Sequence, residues 1–206
     1  SRKDQSFFIR KLVDMGHESV FEHVSFTFGV EGVSRVLLAQ LTRHRIASFS
    51  VQSQRYVSYE DGFGYIIPDS IRALGDEAVR KYSEQMAIIN TWYKDWQRQL
   101  GQGEKSNEDA RFVLPNACET RIVLTMNARE LMHFFSLRMC NRAQWEIRRM
   151  AEEMFRLCYE KAPVLFANAG PSCLRGKCPE GEKSCGQAAE IRKNREAFIK
   201  SRTEEE

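Results

Sequence analysis

No apolar run in this 206-residue chain approaches the roughly 20 residues that a membrane-spanning helix requires. A secretory signal is missing too: Ser1-Arg2-Lys3-Asp4 is polar, and the apolar stretch after it is short and broken by charge. Ser1 is not a natural start, so residues upstream of it are expected. A strong charge of one sign is also lacking. The formal net charge of +3 is too small for a protein that coats nucleic acid. There is no G-x-S-x-G elbow to expose a serine nucleophile. The histidines of His17-Glu18-Ser19-Val20-Phe21-Glu22-His23 are six apart, whereas H-E-x-x-H needs them at i and i+4 on one helix face. That excludes a zinc-protease helix and leaves packing or hydrogen bonding for both. With no secretory signal, a reducing cytoplasmic setting is expected for the six cysteines.

What is present is an ordinary globular composition, 42% hydrophobic and 29% charged, long enough for a real core. Helical spacing appears over residues 6–15, with Phe8, Leu12 and Met15 on one face. Residues 24–30 alternate, with Val24, Phe26, Phe28 and Val30 on one side, and predict a strand ended by Gly32. Ser34 is placed to cap a helix that continues towards His44. Residues 46–57 show no clean period and predict an ordered loop, and Tyr65-Ile66-Ile67 a short extended piece ending at Pro68. A long amphipathic helix is expected from about Ser70 to Leu100, where glycines stop it, then a short one from Asn107 capped by Ser106. Residues 119–126 alternate again, with Thr120, Ile122, Leu124 and Met126 on one face. Asn127 is set to cap a helix from Ala128 to Met139, and another runs from about Ala143 to Lys161. Residues 170–186 are a Gly, Pro and Cys loop, and 187–206 a polar tail, helical or frayed. The sum is a helix-rich α+β fold, with one domain over residues 1–169 and an appended loop and tail over 170–206.

The arginines carry the chemistry. Guanidinium suits bidentate recognition of phosphate and planar polar groups. Arg148, Arg149, Arg192 and Arg195 fit carboxylate pairs on exposed helix faces. Arg43-His44-Arg45 ends a predicted helix, and a polar loop with Ser53, Gln54 and Arg55 follows. From the residues alone this is either a cationic helix C-cap with a solvated loop or an anion site. Ser53 has no adjacent base to make it a nucleophile, and its hydroxyl beside Arg55 is better suited to donate to phosphate. Arg129 and Arg138 lie nine positions apart on one predicted helix, so they point to nearly opposite faces and serve two adjoining sites or one site and the surface. Cys118, Cys140 and Cys158 read as ordinary reduced thiols. Cys173, Cys178 and Cys185 lack C-x-x-C spacing and offer only three local thiols, which favours free thiols over a metal site or a disulfide.

Several motifs occur together in one order: Arg43-His44-Arg45 with Ser53 after seven residues, His17-Glu18-Ser19-Val20-Phe21-Glu22-His23 upstream, and downstream Arg111-Phe112-Val113-Leu114-Pro115, Asn127-Ala128-Arg129, Leu137-Arg138 and Ala143-Gln144-Trp145-Glu146-Ile147. Over about residues 6–166 the chain resembles the flavin-dependent thymidylate synthases. The resemblance implies an antiparallel sheet flanked by helices and a homotetramer whose active sites form where subunits meet. It implies FAD as cofactor, with NAD(P)H and methylenetetrahydrofolate as co-substrates, and reductive methylation of dUMP to dTMP without a cysteine nucleophile or a metal. By position, Gln40, Arg43, Ser53, Gln54, Arg55 and Arg111 are implied to hold dUMP. Arg138 is implied to lie against the uracil ring and to be catalytic. Ser19, Arg43, His44, Arg45, Asn127, Arg129 and His133 are implied to contact FAD. Val51 stands where many relatives carry a polar residue, and His133 where an Asn can occur. The alternative from another class is a non-catalytic nucleotide- or nucleic-acid-binding module built on the same arginines. The low net charge and the lack of interleaved aromatics on a basic stripe count against strand binding, so neither nucleic acid nor membrane is an expected partner.

Overall fold

The computed structural model describes residues 2–59, 61–101 and 103–203. Nine α-helices and three strands appear among them: α1 (Arg2–Asp14), β1 (Ser25–Ser34), α2 (Arg35–Leu41), β2 (Ala47–Val51), α3 (Asp69–Arg72), α4 (Asp76–Leu100), α5 (Glu104–Ala110), β3 (Glu119–Asn127), α6 (Ala128–Arg138), α7 (Trp145–Lys161), α8 (Pro163–Phe166) and α9 (Ala188–Thr203). The strands form one antiparallel sheet in the order β1-β3-β2, so the fold is the helix-rich α+β type expected. No helix is long and apolar enough to cross a membrane among the described residues.

The chain gathers into two compact units, each assembled from separate stretches. One comprises Ser1–Phe28, His44–Ala47 and Thr125–Glu206; the other comprises Gly29–Arg43 and Ser48–Leu124.

The first unit has an aromatic core. Phe26 and Phe135 meet Phe166 edge-on at 5.4 and 6.1 Å, and Phe155 meets Phe135 at 5.8 Å and Phe198 at 5.7 Å. Edge-to-face geometry adds about 0.5–1.5 kcal/mol per pair beyond area burial. Helix α7 presents Ile147, Met150, Ala151, Met154, Phe155 and Cys158 at helical spacing to this core, and the Gln144 side chain caps it by accepting from the Glu146 and Ile147 amides. Helix α9 is held through Arg195. Its guanidinium lies 3.8 Å over the Phe155 ring and donates to the Ala169 carbonyl at 2.6 Å. Burial lowers its pKa to about 10, which leaves it cationic at neutral pH.

The second unit packs Leu37 and Leu41 of α2, Tyr93 of α4 and the alternate β3 residues Ile122 and Leu124, all fully buried or nearly so. Phe63, Met86 and Cys118 form a further cluster with Tyr59, Tyr65 and Tyr82 packed against it. The extended piece predicted at residues 65–67 survives as a single antiparallel bridge between Tyr65 and Cys118.

Several boundaries differ from expectation. Strand β1 runs through Gly32 to Ser34, because Gly32 takes a positive φ of 69° and its amide donates to Glu119 Oε1 at 3.2 Å. Ser34 caps α2 as predicted, accepting from the Leu37 amide, but α2 ends at Leu41, so Arg43-His44-Arg45 lies beyond a helix rather than in its last turn. The predicted loop contains β2; its alternation over Ala47-Ser48-Phe49-Ser50-Val51 is short, with Ala47, Phe49 and Val51 only half-buried and the two serines exposed. The long helix is interrupted at Gly75 (φ 99°) into α3 and α4. Helix α5 begins at Glu104, so Ser106 sits inside it and donates to the Gln97 carbonyl instead of capping. The tail is helical over α9.

Candidate active site

In the first unit the site is organised by α6. Asn127 Oδ1 accepts from the Glu130 amide at 2.8 Å, a side-chain cap that starts the helix and fixes Glu130 in its first turn. A carboxylate there is favoured by the helix dipole, as is Arg138 in the last turn. His44 bridges the two: Nδ1 lies 3.2 Å from Glu130 Oε1, and Arg138 Nε donates to His44 Nε2 at 3.0 Å. His44 and Glu130 are buried, with Phe134 edge-on to the imidazole at 4.9 Å and His133 at 6.3 Å. The imidazole pKa is lowered, first by burial and then by the Arg138 charge, against the raising effect of Glu130. His44 is therefore neutral at pH 7.

On the other side of α6, Arg129 pairs with Glu22 and lies 3.6 Å from Glu18 of the 3-10 turn Glu18–His23. The Glu22 hydrogen bond raises its pKa. Arg129 and Arg138 thus face different partners, as the helical spacing predicts. In that turn Phe21 is buried, whereas His17 and His23 are exposed. The packing expected of the histidines is supplied by Phe21 and the ion pairing by the two glutamates. Ser19, Arg45 and His133 are exposed as well.

In the second unit Arg55 NH2 is 2.7 Å from Glu104 and 3.0 Å from Glu108, while Arg55 Nε is buried with no hydrogen-bond partner. The Ser53 hydroxyl accepts from the Arg55 amide at 3.2 Å, and Asn107 Nδ2 donates to the Arg55 carbonyl. Arg111 Nε donates to the Glu108 carbonyl at 3.0 Å, so Arg111 and Arg55 converge on α5. Gln40 is half-buried on α2 and Arg43 is exposed beyond it. Gln54 points inward: it is buried and donates to Cys118 Sγ at 3.4 Å, whose thiol is raised in pKa by burial.

The four guanidiniums read as exposed partners of carboxylates behave otherwise at two positions. Arg192 donates to the carbonyls of Cys173 and Gly176 and so clamps the cysteine loop, and Arg195 donates to the carbonyl of Ala169 just before it. Arg142 ties the same loop to the end of α6 through Glu180 at 2.9 Å and the Lys183 carbonyl at 3.0 Å. All six cysteines are free thiols. Cys173 is raised in pKa by burial and by the neighbouring thiols of Cys178, Cys140 and Cys185. Cys140 therefore belongs with the loop cysteines, a grouping that its place in the sequence hides. Among the described residues, no group of three or more His, Cys, Asp or Glu side chains is set to hold a metal ion.

The profile of the family described as "Thymidylate synthase complementing protein" matches residues 1–164. This chain belongs to that family. Among curated flavin-dependent thymidylate synthases, the Geobacter sulfurreducens protein is 52% identical over 94% of this chain and 82% of its own length. That of Clostridium tetani is 51% identical over 90% and 79%. The archaeal enzyme of Pyrococcus furiosus is 43% identical over 87% and 75%. For a flavin-dependent thymidylate synthase, the donor set of the first unit suits FAD. Arg45 is an exposed cation fit for a diphosphate, Arg129 is an exposed cation paired with Glu22 and Glu18, and Ser19 and His133 are exposed polar groups of the same unit. The buried charged residue missed by sequence reading is Glu130. Its signal was the Asn-x-x-Glu capping pattern ahead of an apolar run.

Proposed function

We propose that this chain catalyses the reductive methylation of dUMP to dTMP. It is an enzyme of dTMP biosynthesis, by membership of its family and about 50% identity to flavin-dependent thymidylate synthases over most of its length. FAD is its cofactor, with NAD(P)H and methylenetetrahydrofolate as co-substrates. When bound, reduced FAD supplies the hydride, and the folate supplies the carbon.

The protein's part is positioning and electrostatics. Arg55 Nε is a buried donor without a partner, which fits an incoming phosphate oxygen. Arg111, held by the Glu108 carbonyl, and Ser53, held by the Arg55 amide, complete the anion site, with Gln40 and Arg43 on the nucleotide. The inward Gln54 supports that turn through Cys118. Arg138 lies against the uracil ring and stabilises negative charge as N3 ionises. The observation that carries this role is the neutral His44 imidazole on Arg138 Nε, which fixes the guanidinium without adding a negative charge of its own. Asn127, Arg129 and His133 with Ser19, Arg45 and the ring of His44 hold the flavin. Active sites are completed in a homotetramer where subunits meet. Six free thiols suit a cytoplasmic location. Residues 1–169 form the catalytic domain, and residues 170–206 are a Cys-containing loop and tail appended to it.

The test is a visible absorption spectrum of the purified protein followed by titration with dUMP. A flavin spectrum that dUMP perturbs supports the reading. A protein that takes up no FAD but still binds dUMP would leave a nucleotide-binding module in its place.

A further inference from the structure

Glu130 is buried, charged and outside the motifs that carry the family resemblance. It stands in the first turn of α6, is only 7% exposed, and its carboxylate meets a histidine that in turn meets an arginine in the last turn of the same helix. Positions 130 and 138 are about 12 Å apart along a helix axis. His44, on a different stretch of chain, spans the gap.

The chemistry fixes every proton in this line. Arg138 Nε–H can only donate, so His44 Nε2 must be the acceptor. The single ring proton of the neutral imidazole is then on Nδ1 and is donated to Glu130. The carboxylate selects this tautomer, because the alternative would place N–H against N–H at Arg138 and a lone pair against a carboxylate at Glu130. Among the described residues, His133, also on α6, is the other titratable group beside the ring.

We propose that Glu130 is a positioning residue for the reaction: it holds His44 in the Nδ1–H tautomer, and His44 Nε2 thereby aims the guanidinium of Arg138. The inference rests on the reading that Arg138 acts on the uracil ring. It adds that the aim of Arg138 is set by a buried carboxylate that touches neither nucleotide nor flavin. Protonating His44 removes the acceptor and puts two cations face to face, so turnover falls on the acid side of neutrality.

The experiment compares Glu130→Gln, His44→Gln, His44→Phe and Arg138→Ala as full-length flavin-loaded proteins, with flavin occupancy and Tm measured beside kcat, KM for dUMP and the pH profile. A Gln at 130 removes the charge and can turn either its amide oxygen or its NH2 to Nδ1, so it no longer selects one tautomer. Glu130→Gln is expected to bind flavin normally and to lose about 10- to 100-fold in kcat, with a smaller change in KM. Its acid limb moves to lower pH, because the group that raises the His44 pKa is gone. His44→Gln keeps an acceptor for Arg138 and a donor for Glu130, and retains more kcat than His44→Phe. Wild-type kcat and an unmoved acid limb in Glu130→Gln, with Arg138→Ala inactive, would overturn the positioning role while leaving the role of Arg138 intact. Normal turnover in Arg138→Ala would overturn both.

Discussion

The two units each fix an arginine, and they do so in opposite ways. In the first, Arg138 Nε rests on a neutral imidazole. In the second, Arg55 NH2 rests on two carboxylates, Glu104 and Glu108, at 2.7 and 3.0 Å. A neutral acceptor orients a cation without opposing its field, which suits a group that must stabilise charge as it develops. Carboxylates orient a cation and oppose its field, which suits a group that must bind an anion and release it. Arg55 and its partners are also more than a third exposed, so solvent screens those pairs and an incoming phosphate can exchange with them.

The largest effect should come from removing the Arg138 guanidinium. Arg138→Ala is expected to lower dTMP formation by on the order of 10²–10³-fold with flavin retained. Arg138→Lys should recover little, because an ammonium cannot present both an Nε donor to His44 and a planar face to the ring. Steady-state turnover and the flavin spectrum of the same preparations decide it.

The caps sharpen the contrast between units. Asn127→Ala and Ser34→Ala each remove a side-chain acceptor at a helix start, and each should cost about 1 kcal/mol in denaturant unfolding. Only Asn127→Ala should also reduce kcat, since its cap places Glu130. Equal kcat losses in the two variants would break the distinction.

The smallest effect is expected at the carboxylates. Glu104→Gln with Glu108→Gln relieves Arg55 of two exposed ion pairs, together about 1 kcal/mol or less, and should lower KM for dUMP up to about fivefold at low salt. A raised KM would show that the pair orients Arg55 rather than competing for it.

The His44 shift also bears on stability. Its folded pKa lies below the ordinary 6.5, so the unfolded chain takes up the proton first as pH falls. Stability from this group is therefore complete above 6.5 and declines below it, towards the lowered folded value. Unfolding free energies measured at pH 7.5 and 5.5 on wild type and His44→Gln should differ more in the wild type.

Much of the fold was legible locally. The alternation at residues 119–126, the caps at Ser34 and Asn127 and the spacing of α7 follow from short-range rules, and each appears as expected. The misreadings share a cause. Strand β2 is too short for its alternation to stand out, and only the ladder beside β3 makes it a strand. In the sequence Gly32 reads as the end of a strand, and Gly75 as the inside of a helix. Gly32 is retained in a strand, where its amide has a partner on Glu119, while Gly75 does break a helix. Arg192 and Arg195 looked like surface charges because nothing in their own helix shows that Phe155 and the cysteine loop are waiting for them.

By itself the sequence determined the helices and strands with strong periods, their caps, and the family through several motifs in register, because these depend on residues close together along the chain. Only the tertiary structure decided that His44 is buried and neutral, that Glu130 faces it, that Gln54 turns inward and that Cys140 joins the loop thiols. Protonation state, tautomer and ion pairing are set by what lies within a few ångströms, and at these positions those neighbours come from stretches of chain far apart in sequence.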